Sequence, residues 1–438
     1  MKNNISKRLE SLDVLRGFDL FCLVALEGIM HPLAHAIDTP WFNSFMWNFT
    51  HVDWEGLSPW DLVMPLFMFM SGVSIPFALS HYRGAKEKGV VYRRILKRVV
   101  LLWIFGMMCQ GNLLGLDPDR IYLYSNTVQT IAVGYLVASL LFLHTGIKTQ
   151  IGVAVGLLLT FWGCMEFITI DGYGNGNYTP DGNLAEWIDR TVLGRFRDAA
   201  TLQDGQVVFV PWYRYTWILS SLTFAVTTLT SLFAGHILKD KSRQPIKKFY
   251  LLAAIGAALI AAGWLWSFQM PVIKKIWTST MVLQTSGWCF LLMAVFYWTI
   301  DCKGWRKHTE WLKVYGMNSI VAYMLAQCIS FSSIDNRIIC NVVYRILCCI
   351  KAYNISFNFC LLFFIKFYFR YDNSLFSRWK KPPARFTLDE KAMSADIRDY
   401  CAMGFDRIST FACFLGEDYE QLYGDFDVAP FARAADNP

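Results

Sequence analysis

The chain has 438 residues, of which 55% are hydrophobic and 17% charged, with a net charge of +7. Because soluble domains carry about 25% charged residues, this composition argues against an ordinary soluble protein. The basic residues are spread over several connectors, so no nucleic-acid partner is expected. The 12 cysteines lie mostly inside apolar segments without zinc spacing, and no metal site or disulfide framework is expected.

Apolar segments with the length of a membrane-spanning helix recur through most of the chain. A helix that rises ~1.5 Å per residue needs about 20 apolar residues to cross the hydrocarbon layer of ~30 Å. The sequence therefore predicts an all-α, polytopic transmembrane bundle of about ten spans in a lipid bilayer. The predicted spans are 17–37, 60–80, 99–115, 127–145, 151–170, 216–238, 249–268, 280–300, 314–332 and 355–370.

Clusters of Lys and Arg indicate the orientation, because basic loops stay in the cytoplasm. With ten spans, the clusters at 2–16, 83–98, 239–248 and 303–313 all fall on one face. Both termini are therefore predicted to be cytoplasmic, in a bacterial inner (plasma) membrane. The connectors 38–59 and 171–215 then lie outside.

The chain divides by composition into a membrane domain over 1–372 and a tail over 373–438. From Phe386 onward the tail has 11 acidic and 4 basic residues. Residues 388–402 are predicted to form a helix and 407–415 a strand, which gives a short soluble α/β-like tail. The stretch MGFDRISTFACFLGEDYEQLYG resembles the closing helix–strand unit of a glycoside-hydrolase-like barrel. One helix and one strand cannot bury a core, so no activity is assigned to this segment.

The first predicted span carries ionisable residues, which are costly in a membrane and usually functional. Asp13 and Arg16 lie three residues apart on one helix face and can pair. Glu27 and His31 lie four residues apart and also share a face. A self-neutralised interfacial cluster and a Glu–His hydrogen bond that locks two helices are the structural alternatives.

The start of the second predicted span carries residues typical of a helix cap, and a histidine suited to acid–base chemistry lies just before it. Ser58 precedes Pro59 as an expected N-cap, and Asp61 falls in the first turn, where the helix dipole favours a carboxylate. His51 lies in the connector just before it. A histidine oriented by a carboxylate is suited to general-base or nucleophilic work. The alternatives are an ordinary loop histidine and a purely capping aspartate.

Several motifs resemble the heparan-α-glucosaminide N-acetyltransferase family, and more closely bacterial membrane acyltransferase relatives of it. They are SLDVLRGFDL at 11–20, HVDWEGLSPWDLVMPLFMFMSGVS at 51–74, NTVQTIAVGYL at 126–136, YTPDGNLAEWIDR at 178–190, VIKKIWTSTMVLQTSG at 272–287 and YGMNSIVAYML at 315–325. The likeness covers roughly residues 8–330. Departures include Glu27, where animal members carry Asn, and Thr130, where the family has Arg.

The resemblance implies a membrane enzyme that moves acetyl from cytoplasmic acetyl-CoA, as co-substrate, to the amino group of a glucosamine-type sugar outside. His51 matches the family's active-site histidine and Asp61 the aspartate of its DLVxP segment, with Glu27 as a third catalytic candidate. The predicted substrate-binding residues are Asp13, Arg16, His31, Trp54, Gln129, Lys275, Trp277 and Asn318. The basic stretch 93–98 is either an orientation signal or a site for the CoA phosphates.

Three other interpretations stay open at the level of sequence. The first is a proton-coupled transporter of a sugar or lipid-linked precursor, with Glu27 and His31 relaying protons. The second is an acyltransferase with a different glycan acceptor, and the third is a purely structural membrane protein. A homo-oligomer is also left open.

Overall fold

A computed structural model describes residues 9–26, 29–30, 33, 37, 39–84, 88–198, 200–203, 205–210 and 214–328. Backbone contacts divide the chain into two units, one of residues 1–26 and 40–329 and one of residues 27–39 and 330–438. The first unit contains almost all of the described residues. Glu27, His31, the tenth predicted span and the tail lie outside the described residues.

The described part of the chain is mainly helical, with two short hairpins in the connector that follows residue 167. The helices are α1 (Glu10–Phe21), α2 (Pro40–Met46), α3 (Val63–Leu79), α4 (Gly89–Cys109), α5 (Thr127–His144), α6 (Ile147–Phe167), α7 (Leu184–Leu193), α8 (Ser221–Lys239), α9 (Pro245–Trp266), α10 (Ser279–Phe296), α11 (Glu310–Met317) and α12 (Ser319–Cys328). The hairpins pair β1 (Thr169–Ile170) with β2 (Tyr173–Gly174) and β3 (Ala200–Gln203) with β4 (Gln206–Phe209), both antiparallel.

Six of the described helical segments are long and apolar enough to cross a membrane. They are Pro59–Tyr82, Thr127–His144, Ile147–Phe167, Ser221–Lys239, Pro245–Trp266 and Ser279–Cys302. On α6, the side chains of Ile147, Ile151, Val155 and Leu159 are exposed at a spacing of four residues. An exposed apolar stripe of this kind suits a lipid-facing surface. The chain is thus an integral membrane protein with at least these six candidate spans.

Helix α8 lies at the centre of the first unit and packs against α3, α5, α6 and α10. Polar residues of α8 contact the neighbouring helices. The hydroxyl of Thr230, on α8, forms a hydrogen bond of 3.0 Å with the hydroxyl of Ser286, on α10. Gly72 of α3 and Gly134 of α5 both press against Thr228 of α8, and a Cβ at either glycine would overlap it. Small residues let membrane helices approach closely, which explains the tight packing around α8.

Helices α1 and α11 cross through a reciprocal pair of glycines. A Cβ on Gly17 would overlap the carbonyl oxygen of Leu312, and a Cβ on Gly316 would overlap the carbonyl oxygen of Asp13. The carboxylate of Asp301, at the end of the segment that follows α10, accepts from the backbone N–H groups of Glu10 and Ser11 at 3.3 and 3.1 Å. These contacts fix the start of α1 against the end of the α10 segment.

Several predicted span boundaries differ from the structure. The third predicted span, 99–115, is replaced by α4, which begins ten residues earlier at Gly89 and ends at Cys109. The prediction started after the basic stretch because of its charge, but Arg94 and Arg98 lie over the rings of Tyr82 and Tyr135 and stay helical. The ninth predicted span, 314–332, is not one helix, since it breaks at Asn318 between α11 and α12.

Candidate active site

The capping motif at the start of the α3 segment fixes Asp61. Residues Pro59–Leu62 form a single 3-10 turn ahead of α3. Atom Oδ2 of Asp61 accepts from the backbone N–H of Ser58 at 3.0 Å, from the Ser58 hydroxyl at 3.0 Å and from the N–H of Val52 at 3.4 Å. The predicted capping role of Ser58 and Asp61 is therefore confirmed. Because Oδ2 is occupied in this way, Oδ1 is directed to other partners.

His51 and Asp61 are in direct contact. Nδ1 of His51 lies 2.8 Å from Oδ1 of Asp61, whose side chain is 0% exposed, whereas the His51 side chain is 46% exposed. Among the described residues, Nε2 of His51 has no hydrogen-bond partner. A ring whose Nδ1–H donates to a buried carboxylate presents the Nε2 lone pair outward, which is the arrangement that a general base or a nucleophile requires.

Lys274 is the third charged group of the site. Its Nζ lies 3.1 Å from Oδ1 of Asp61 and 2.9 Å from Nδ1 of His51, and its side chain is 9% exposed. Lys274 belongs to the connector between α9 and α10, which is bound to the loop that carries His51. The N–H of Gly56 donates to the carbonyl of Val272 at 2.8 Å, and Glu55 forms an isolated antiparallel bridge with Ile273.

The long connector between α6 and α8 borders the same loop. Nε1 of Trp54 donates to the carbonyl of Tyr178 at 2.9 Å, and the Tyr178 hydroxyl donates to Glu166 at 3.0 Å. Tyr215, at the other end of this connector, lies near Asp61; burial and the Asp61 charge raise the pKa of Tyr215 to about 12. Tyr215 is therefore a neutral hydrogen-bonding group at physiological pH.

Buried charges hold the long connector together. Arg197 and Glu186 form an ion pair at 2.6 Å, and both side chains are buried. Asp189 accepts from the N–H groups of Trp217 and Ile218 at 2.7 and 3.0 Å. Burial raises the pKa of Asp189 to about 7, against the lowering effect of those two backbone donors. These contacts join the described parts of the connector to one another beside the site.

The structure places the other predicted binding residues in three settings. Trp54 borders the His51 loop, as described above. Trp277 is 1% exposed and its Nε1 donates to the Thr227 hydroxyl at 3.1 Å. Gln129 is buried, where it accepts from the N–H of Ser125 and donates to the carbonyl of Leu123, and it closes the turn before α5. A substrate role for Trp277 or Gln129 stays a prediction.

The remaining predicted residues lie elsewhere. Asp13 and Arg16 form the predicted pair at 3.7 Å, and Arg16 also donates to the carbonyl of Met70 at 3.1 Å. Asn318 donates to the carbonyl of Val314 at the break between α11 and α12. Lys275 offers its backbone carbonyl to the N–H of Thr216, while the neighbouring Lys274 reaches the site. Nothing in the sequence distinguishes the two adjacent lysines.

Clusters of histidine, cysteine and acidic residues able to hold a metal ion do not occur within the described ranges. His51 lies between a carboxylate held by a helix cap and an ammonium from a distant loop. A histidine held against a buried carboxylate is an arrangement suited to general-base or nucleophilic chemistry.

No protein-family model matches the chain. The chain is 26% identical over 367 residues to heparan-α-glucosaminide N-acetyltransferase of Homo sapiens, covering 72% of this chain and 52% of that protein. It is 23% identical over 372 residues to the protein of the same name from Mus musculus, covering 74% of this chain and 54% of that protein. The chain thus spans about half the length of these curated relatives. The chain is thus similar in sequence, over 72–74% of its length, to two proteins named heparan-α-glucosaminide N-acetyltransferase.

Proposed function

We propose that the chain is a membrane-bound acetyltransferase that moves an acetyl group from acetyl-CoA to the amino group of a glucosamine-type sugar. The observation that carries the proposal is the contact of His51 Nδ1 with the buried carboxylate of Asp61, with Nε2 left available. The names of the two relatives supply the reaction and the class of acceptor.

The chemistry requires a base because a sugar amine is partly protonated at neutral pH and must lose a proton to attack a thioester. In direct transfer, Nε2 of His51 takes that proton while the amine nitrogen bonds to the acetyl carbon and the C–S bond breaks. The proton on Nε2 then passes to the departing thiolate. In a two-step route, Nε2 itself bonds to the acetyl carbon as the C–S bond breaks and the thiolate leaves. The amine nitrogen then bonds to the acetyl carbon, the Nε2–C bond breaks, and the freed Nε2 takes the proton that the amine loses.

Asp61 orients the ring in either route. Its Oδ1 accepts from Nδ1–H, which fixes the proton on Nδ1 and leaves the lone pair on Nε2. The carboxylate also stabilises the positive charge that develops on the imidazole ring. Three donors from Ser58 and Val52 hold Asp61 in place for this task. Glu27, the third catalytic candidate, stays a prediction.

We further propose that the site faces outward and the basic ends of the helices face the cytoplasm. The α3 segment carries Asp61 at one end, and at the other end Lys239 binds the Pro76 carbonyl and the Ser80 hydroxyl. The helix between Asp61 and Ser80 is ~28 Å long, about the thickness of the hydrocarbon layer. Basic residues at the Ser80 end support a cytoplasmic position for it, in a bacterial inner membrane with cytoplasmic termini.

The test uses the purified chain in nanodiscs with radiolabelled acetyl-CoA and glucosamine, comparing the wild type with His51→Ala. His81→Ala is the matched control, because His81 is exposed and contacts the Tyr82 ring at a tilted angle beyond the far end of α3. Label should appear on the sugar with the wild type and the control, and fall at least about 100-fold with His51→Ala. Equal turnover by His51→Ala would refute the catalytic role of His51.

The same experiment separates the alternatives. Label on a peptidoglycan fragment or a lipid-linked sugar, but not on glucosamine, would change the acceptor and keep the reaction. Movement of a sugar across proteoliposomes without consumption of acetyl-CoA would favour the transporter. The absence of both, with folded protein, would favour a structural role.

A further inference from the structure

Two groups compete for one ring nitrogen of His51. Oδ1 of Asp61 lies 2.8 Å from Nδ1, and Nζ of Lys274 lies 2.9 Å from the same atom. A neutral imidazole nitrogen either donates one proton or accepts one, so the two contacts favour different states of the ring. Donation to Asp61 leaves the lone pair on Nε2, whereas acceptance from Lys274 leaves the proton on Nε2.

The charged state of the ring depends on the same two groups. An imidazolium carries protons on both nitrogens and a full positive charge. The carboxylate of Asp61 attracts that charge, and the ammonium of Lys274 repels it from a similar distance. Because Lys274 also lies 3.1 Å from Oδ1 of Asp61, the two fixed charges largely cancel at the ring.

The other titratable groups near the ring are neutral, exposed to solvent or in contact through their backbone. Tyr215 from the long connector faces Asp61 as a neutral phenol. Asp53 and Glu55 are exposed residues on the His51 loop, where solvent screens their charges. Lys275 uses its backbone, and not its side chain, in the contact with Thr216. Among the described residues, Asp61 and Lys274 are thus the charged groups in direct contact with the ring.

We propose that Lys274 is a positioning residue that balances the charge of Asp61 and opposes formation of an imidazolium at His51. The inference rests on the proposed function only in taking Nε2 as the reacting atom. Lys274 does not touch substrate in this role; it acts through His51 and Asp61.

The test measures the protonation of His51 without any acetyl transfer. Diethyl pyrocarbonate ethoxycarbonylates a neutral imidazole nitrogen and releases ethanol and carbon dioxide, and mass spectrometry of the His51 peptide gives the rate. In the full-length chain in nanodiscs, the rate is recorded between pH 5 and pH 9. The midpoint of its rise reports the protonation of the ring.

Lys274→Met should shift this midpoint upward by about one pH unit or more, because a cation in hydrogen-bond contact is removed. Lys274→Arg keeps the charge, so its labelling midpoint should lie within about 0.3 pH units of the wild-type midpoint. A purely structural role of Lys274 would not produce this return to the wild-type midpoint. An unchanged midpoint in Lys274→Met would overturn the proposal.

A second comparison avoids an unpaired buried carboxylate, in case Lys274→Met does not fold. Asp61→Asn is compared with the double variant Asp61→Asn/Lys274→Met, in which both charges are absent. The double variant should have a midpoint about one pH unit above that of Asp61→Asn. Identical midpoints would show that Lys274 has no effect on the ring.

The labelling also distinguishes this inference from the proposed function. If the wild type transfers no acetyl group but the labelling midpoints shift as expected, the role of Lys274 stands and the acetyltransferase assignment fails. If transfer occurs but the midpoints do not shift, the proposed function stands and the role of Lys274 is refuted.

Discussion

Replacement of Asp61 by Asn tests the centre of the site with almost no change in shape. The carboxylate accepts from five donors: the N–H of Val52, the N–H and hydroxyl of Ser58, Nδ1 of His51 and Nζ of Lys274. An asparagine has one acceptor oxygen. If that oxygen keeps the Ser58 donors, the amide NH₂ faces His51 and Lys274, and Nδ1 must become an acceptor. The proton then moves to Nε2, where it blocks both proposed routes.

The expected losses are large in both activity and stability. A correctly placed acid–base group contributes about 10²- to 10⁴-fold to a rate, so transfer by Asp61→Asn should fall by about that factor. Asp61 is 0% exposed and Lys274 is 9% exposed, so the variant leaves a buried ammonium without its anion. Breaking such a pair costs about 3–5 kcal/mol of unfolding free energy.

Initial rates with radiolabelled acetyl-CoA measure the first effect, and thermal unfolding in detergent measures the second. Asp53→Asn is the matched control, since Asp53 is an exposed residue of the same loop. Its rate and unfolding midpoint should match the wild type. If Asp61→Asn kept a rate within twofold of the wild type, the assignment of Asp61 as the orienting carboxylate would be refuted.

Two further predictions concern the fold. Gly17→Ala should lower the unfolding free energy by about 1–3 kcal/mol, because the new methyl group meets the Leu312 carbonyl at the α1–α11 crossing. Gly152→Ala, on an open face of α6, is the control and should not lower the thermal unfolding midpoint, because alanine is favoured over glycine in a helix. Asp189, with its pKa raised to about 7, binds a proton in the folded chain that the unfolded chain releases at lower pH. Its contribution to stability is therefore present below pH ~4 and declines as the pH rises toward 7. Asp189→Asn should remove this decline in unfolding midpoints measured between pH 5 and pH 8; a wild-type slope in the variant would contradict the assignment.

Local signals in the sequence predicted local structure well. The segments 60–80 and 280–300 coincide with membrane-length helices because apolar length alone specifies them. The pairing of Asp13 with Arg16 and the cap formed by Ser58 and Asp61 depend on spacings of three residues, which the helix geometry fixes. His51 is ten residues from Asp61, close enough for the capping motif to bring the two together.

The positions of side chains relative to residues far away in the sequence depend on helix and loop packing, which the sequence pattern does not reveal. Lys274 is 213 residues from Asp61, and only the pairing of its connector with the His51 loop selects it over Lys275. Trp277 has the aromatic character of a sugar platform, yet packing against Phe224 buries it. The sequence by itself determined the membrane class, the six membrane-length helices and the His51–Asp61 pair, because each depends on neighbouring residues. The third charge of the site, the burial of Trp277 and the break at Asn318 were decided only in the tertiary structure, because they depend on which distant segments meet.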